Sequence, residues 1–168
     1  SRVQSDFWLE RWERNQIGFH QATTNSWLEK YWPVLDLPAG AAVFVPLCGK
    51  SHDMQWLAGQ GHPVYGLEMA PSEIEAFFSE ASQTSEFSVT FTGMETHSAQ
   101  GFTLYCGDFF DMSAPELPGC AGVFDRGALV ALPSEMRSLY ADHLQRILPE
   151  HCKVLLLTLE TDVPATVG

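Results

Sequence analysis

Positive charge is what this 168-residue chain has least of: nine Lys and Arg stand against twenty-one Asp and Glu, a net charge of −12. Such a surface repels a phosphate backbone and an anionic bilayer, which argues against nucleic acid and membrane lipid as partners. No apolar run approaches the roughly 20 residues of a membrane span. Residues 1–6 contain no signal-peptide core, so a cytoplasmic protein is expected. Cys48, Cys106, Cys120 and Cys152 form no C-x-x-C pair, which argues against a zinc site or a disulfide framework and for reduced, mostly buried thiols. His20, His52, His62, His97, His143 and His151 miss the i, i+4 and H-E-x-x-H spacings, so no metal is expected. Repeats, linkers and low-complexity segments are also missing, and the length suits one domain over residues 1–168.

What is present is organised around residues 41–51, Ala-Ala-Val-Phe-Val-Pro-Leu-Cys-Gly-Lys-Ser, an apolar run that stops in a tight turn and opens into a helical pattern. A second apolar run from Val64 ends in the carboxylate of Glu68. In an open α/β sheet this places a turn and an acid together at the carboxyl ends of neighbouring strands, where a ribose can be held. The polarity recurs: the strand 102–106 ends at Gly107-Asp108-Phe109, and the strand 121–124 ends at Asp125-Arg126-Gly127. A fifth strand, 153–159, is apolar on both faces, as expected where helices cover a parallel sheet. Residues 85–100 alternate weakly through Phe87, Val89 and Phe91, which suggests an edge strand or an extended excursion.

Helices are expected between the strands. Ser51 can cap one running to about residue 60, and Pro71 opens one with Ile74, Phe77 and Phe78 on its apolar face. Pro133 fits the first turn of the longest helix, whose stripe contains Met136, Leu139, Tyr140, His143, Leu144 and Ile147, with His143 a satisfied, partly buried residue. Before the first strand, Asn25 can cap a helix that Pro33 ends, and Ser5-Asp6 can cap one over residues 7–14. Trp8 and Trp12 share a face of that first helix, either as core anchors or as an aromatic lid over a ligand. The whole is an α/β, doubly wound, mainly parallel sheet, with a helical cap over residues 1–40, a core over 41–160 and a tail over 161–168.

Three nucleotide sites compete for the crevice. Gly49-Lys50-Ser51 imitates the end of a Walker A loop, but Phe44 stands where that loop needs its first glycine. The dinucleotide fingerprint is missing too, because Pro46-Leu47-Cys48-Gly49 offers one glycine where a pyrophosphate wants two or three; a dehydrogenase is accordingly a distant alternative. What remains is a nucleoside without phosphates: ribose on Glu68, adenine near Asp108 and Phe109, and an uncharged or positive group over the first turn. S-adenosylmethionine fits, since its sulfonium is attracted by acids and by aromatic faces such as Trp8 and Trp12. Against this, a strand-end acid commonly caps the following helix, and Arg126, the first base after residue 50, can simply pair with Asp125 or another acid.

The chain resembles the bacterial thiopurine S-methyltransferases within the S-adenosylmethionine-dependent methyltransferase superfamily. The resemblance rests on Phe7-Trp8-Leu9-Glu10-Arg11-Trp12 with Gly18-Phe19-His20, on Val45-Pro46-Leu47-Cys48-Gly49-Lys50-Ser51, on Gly61-His62 leading to Glu68, and on Phe124-Asp125-Arg126-Gly127-Ala128-Leu129-Val130. It implies a Rossmann-like methyltransferase fold in which Trp8, Trp12, Leu47, Gly49, Glu68, Asp108, Phe109 and Arg126 surround S-adenosyl-L-methionine, with Phe19 and Arg126 near the acceptor. It further implies thiopurines, aromatic thiols or selenium and tellurium compounds as acceptors, with tellurite resistance as an outcome. The family pattern continues past the fifth strand with two further strands and a segment over the acceptor. Residues 161–168 resemble none of this, so the last two strands are expected to be missing. Residues 154–159 are then expected to form an exposed edge through which an otherwise monomeric protein can self-associate. A non-catalytic S-adenosylmethionine-binding module is the competing expectation. No catalytic base is assigned, since thiols that ionise near neutral pH need little base and rely on proximity and orientation.

Overall fold

The computed structural model describes residues 24–48, 51–126 and 132–157. Within them lie four α-helices and seven strands. In chain order they are α1 (Ser26–Tyr31), β1 (Ala42–Val45), α2 (His52–Gly59), β2 (Val64–Glu68), α3 (Pro71–Glu80), β3 (Glu86–Val89), β4 (Glu95–Ala99), β5 (Phe102–Cys106), β6 (Cys120–Arg126), α4 (Ser134–Ile147) and β7 (Lys153–Leu157). The strands form one sheet in the order β3-β4-β5-β2-β1-β6-β7. The run from β5 to β7 is parallel, and β3–β4–β5 is antiparallel. The expected doubly wound, mainly parallel sheet is therefore present. β1 has β2 on one side and β6 on the other, which makes the gap beyond its carboxyl end the point where the chain reverses direction across the sheet, the place at which open α/β sheets hold ligands.

Local chemistry explains the helix boundaries. The Asn25 side chain accepts from the backbone N–H groups of Trp27 and Leu28 and caps α1. Ser51 Oγ accepts from Asp53 N–H at 3.0 Å and caps α2. Pro33 does not halt the chain after α1 but sits in a 3-10 turn over Trp32–Leu35, since a proline in a first turn has no N–H to waste. Trp32 Nε1–H donates to His62 Nε2 at 3.2 Å, and His62 Nδ1–H donates to the Ala41 carbonyl at 2.7 Å. These bonds fix the His62 tautomer and pin the 3-10 turn to the amino end of β1.

Each face of the sheet has its own core. Leu28, Trp32, Met54, Leu57, Ile74, Phe77 and Phe78, from α1, α2, α3 and the 3-10 turn, bury Val43, Val45 and Leu104 on one face. Met136, Tyr140, Leu144 and Ile147 of α4 bury Phe44, Leu67 and Val123 on the other. His143 donates from Nε2 to the Met112 carbonyl at 2.8 Å, the satisfied histidine expected on that stripe. Leu139, placed on the same stripe by spacing, is 48% exposed. Among the described residues no helix is long and apolar enough to cross a membrane.

Two expectations need correction. Residues 85–100 do supply an edge strand, β3, but they add a second strand, β4, in a complete hairpin turned at Thr90–Gly93 with Gly93 at φ 91°, and are not a loose excursion. β4, Glu-Thr-His-Ser-Ala, is too polar to announce itself, and pairing with β5 supplies what its composition lacks. β7 is not buried on both faces: Leu155 and Leu157 pack against the α1–α3 core, while Val154 and Leu156 are 42% and 41% exposed. Helix coverage, which a single strand's sequence does not encode, decides this.

Candidate functional site

The strand register brings the candidate residues together. Val45 lies opposite Gly66, so two residues further on Leu47 stands level with Glu68. Phe44 lies opposite Val123, which puts Arg126 of β6 level with Leu47 on the other side. Glu68 lies opposite Cys106, and Asp108 follows two residues beyond. Leu47, Glu68, Asp108 and Arg126 thus occupy one carboxyl edge of four adjacent strands. Trp8, Trp12, Phe19 and Gly49 lie outside the described residues.

Backbone bonds stitch this edge. Cys48 N–H donates to the Leu67 carbonyl at 2.8 Å, and Gly107 N–H donates to the Glu68 carbonyl at 3.1 Å. Leu47 holds the turn with φ at 49°, a left-handed conformation that a branched residue adopts only when its surroundings impose it. The turn rests directly on β2: a Cβ at Gly66 would lie 2.8 Å from Cys48 Sγ and 2.7 Å from Leu104 Cδ2. Only glycine allows that approach.

The acids are buried or half-buried. Glu68 is 1% exposed, and its Oε2 accepts from Ala70 N–H at 2.6 Å, ahead of α3. Asp108 Oδ1 accepts from Phe110 N–H at 2.9 Å and opens a 3-10 turn. Asp108 therefore performs the capping that strand-end acids commonly do, whereas Glu68 holds the backbone N–H of Ala70, the residue before α3, without capping the helix. A carboxylate offers about four acceptor positions, so a cap bond and a ligand hydroxyl can share one group. Burial raises the Asp108 carboxyl above its usual range. Burial, followed by the Glu68 charge, also raises the Cys48 thiol well above its usual value. Cys106 is pushed up to about 11 by burial first and then by Glu95 and Glu68. These thiols are protonated at neutral pH and are poor nucleophiles there.

Phe109 is 4% exposed, with its ring against Tyr140 at 4.6 Å and His143 at 5.0 Å. It belongs mainly to the core beneath the crevice. Asp125 accepts from Tyr140 O–H at 2.6 Å under the same layer. Arg126 therefore finds a different acid: its Nε lies 3.5 Å from Asp53 Oδ2. Asp53, in the first turn of α2, is not legible as a site residue, because an acid beside a serine cap reads as ordinary helix chemistry. The available signal was Arg126 itself, the first base after a long interval without one.

The donor set suits a cationic nucleoside with hydroxyls. Carboxylates stand on β2 and beyond β5, one base stands on β6, and the turn after β1 has no phosphate-binding glycine fingerprint.

The model of the thiopurine S-methyltransferase family matches residues 3–168. The chain is 44% identical over 161 residues to a thiopurine S-methyltransferase of Pseudomonas syringae pv. pisi, spanning 95% of this chain and 73% of the relative. It is 47% identical over 160 residues to one from Pseudomonas fluorescens strain Pf0-1, again spanning 95% and 73%. Among solved structures, a TehB-like SAM-dependent methyltransferase from Corynebacterium glutamicum superposes with a TM-score of 0.55 at 16% identity, over 92% of this chain and 72% of that one. The glycopeptide N-methyltransferase MtfA in complex with S-adenosylmethionine gives 0.58 at 16% identity, over 80% and 54%.

Proposed function

Since the chain belongs to the thiopurine S-methyltransferase family and is an S-adenosylmethionine-dependent methyltransferase, we propose that its acceptor is a soft, anionic sulfur nucleophile, an aromatic or heterocyclic thiol of the thiopurine kind. The observation that carries this reading is Arg126, a base at a carboxyl edge otherwise built of acids, following a stretch from residue 51 to 125 that contains no Lys or Arg. A thiolate approaching Glu68 and Asp108 is repelled unless a cation receives it, and Arg126 is placed to do so. Selenium and tellurium anions share that softness and charge, so tellurite resistance is an outcome the same site supports. The protein is proposed to act in the cytoplasm as a monomer.

When bound, S-adenosylmethionine would supply a methyl group on a sulfonium, lost to the acceptor sulfur with the thioether S-adenosylhomocysteine as leaving group. Glu68 is the residue proposed to accept the ribose hydroxyls, and Asp108 to accept from the adenine. Leu47 and the edge of Phe109 form apolar walls. Trp8, Trp12 and Gly49 complete the cofactor side of the reading, and Phe19 the acceptor side, on the strength of the family resemblance alone. No side chain is needed as a general base, because a thiol that ionises near neutral pH arrives as its own nucleophile.

A methyl-transfer assay on the 168-residue chain with a panel of aromatic thiols and selenite tests the reading. Transfer to thiols is expected, and Arg126→Ala should lower kcat/KM by about 10–100-fold, the scale of one charge-assisted contact. Unchanged kinetics would remove Arg126 from the acceptor site. Cofactor binding without transfer would favour the binding-module reading.

A further inference from the structure

Asp53 is a carboxylate held almost out of water, 3% exposed, at the meeting point of three elements. Its Oδ1 accepts from the Asn25 backbone N–H at 2.7 Å, at the cap of α1. Its Oδ2 faces Arg126 Nε at 3.5 Å, at the end of β6. Asp53 itself stands in the first turn of α2, whose N-terminal dipole and Ser51 cap tolerate a negative charge there. Burying a charge is expensive unless partners compensate, and this one has a backbone donor on one oxygen and a guanidinium beside the other.

The position of the partner is what gives this arrangement functional content. Arg126 is 19% exposed and lies level with Leu47 and Glu68 at the carboxyl edge. A guanidinium is planar, so an anion beside Nε restricts how the whole fork can turn. We propose that Asp53 is a positioning residue, whose carboxylate orients Arg126 toward the anionic acceptor and ties that orientation to the start of α1. The inference rests on the reading of Arg126 as the acceptor-binding base. A purely structural Asp53 would join α1 to α2 and leave acceptor recognition alone.

A double-mutant cycle read by binding separates these roles without requiring turnover. The chain is saturated with S-adenosylhomocysteine and titrated calorimetrically with thiosalicylate, an anionic aromatic thiol. Asp53→Asn, which keeps an oxygen for the Asn25 N–H, is expected to weaken thiosalicylate binding about tenfold. In an Arg126→Ala background, the same change should weaken it no further. If Arg126→Ala weakens binding while Asp53→Asn does not, or if the two losses multiply in the double variant, the positioning role is overturned and the Arg126 reading stands. If Arg126→Ala has no effect, or the unaltered chain does not bind thiosalicylate, the Arg126 reading fails and this inference with it. Asp53→Ser, which also keeps an acceptor in the first helical turn, is read by the same criteria should Asp53→Asn not fold.

Discussion

The two ends of the sheet's chemistry contrast sharply. At the carboxyl edge of β5, β2, β1 and β6, charged groups are withdrawn from water: Glu68 is 1% exposed and Asp53 3%. On the β3–β4 hairpin, apolar groups are pushed into it: Phe87 is 60% exposed, Val89 53% and Phe91 105%. The same chain buries carboxylates where helices close over the parallel strands and exposes aromatics where none do. Burial of Glu68 and Asp53, and half-burial of Asp108, are hard to justify as packing, since a buried charge stabilises less than an apolar residue of the same shape. It is intelligible if the edge is shaped for a ligand. The outer strand of the hairpin, by contrast, carries little that packing requires, and the hairpin is held to the core by Met94 and Thr96 instead.

The largest expected difference between the two regions is mechanical. Gly66→Ala places a Cβ against Leu104 and Cys48 under the first turn and should destabilise the chain by about 1–3 kcal/mol, seen as a fall of several degrees in the melting temperature. An unchanged melting temperature would mean that the turn does not rest on β2 as described.

A smaller effect of opposite sign is expected at Asp108. Its carboxyl is raised by burial, so the folded state binds that proton more tightly than the unfolded chain. The stability associated with the protonated form is fully present below the ordinary value of 3.8 and is lost as pH rises through the raised value. Asp108→Asn keeps an oxygen for the Phe110 N–H and removes the half-buried charge. It should therefore raise the melting temperature at pH 7 by about 1–3 °C, with the gain vanishing in acid. A loss of stability at pH 7 would show that the charge is compensated. The smallest effect belongs to the hairpin: Phe91→Ser should change stability by no more than about 0.5 kcal/mol in denaturant titration. A larger loss would mean that the exposed aromatic packs in solution.

Much of this comparison was legible in the sequence, for reasons that differ by region. The runs ending at Leu47, Glu68 and Asp108 declare strands because parallel strands covered on both sides need continuous apolar stretches, and an acid after such a run is conspicuous. Their convergence followed from topology. β4 was illegible because Glu95–Ala99 is polar and owes its conformation to the β5 backbone beside it. The exposure of Phe87 and Val89 was illegible because alternation reveals that two faces differ, not which one is covered. Asp53 escaped because its partner, Arg126, is distant in sequence and its position already had an ordinary explanation.

The proposed cofactor crevice at the carboxyl edge has Glu68 at its centre. It is tested most directly by calorimetric titration of S-adenosylmethionine into the unaltered chain and into Glu68→Gln, an isosteric change that removes the charge and retains one amide oxygen. Saturable binding of one cofactor per chain, weakened about 10–100-fold in Glu68→Gln while the fold persists, is the predicted result. Equal affinity in the two proteins, or no binding by the unaltered chain, would contradict it.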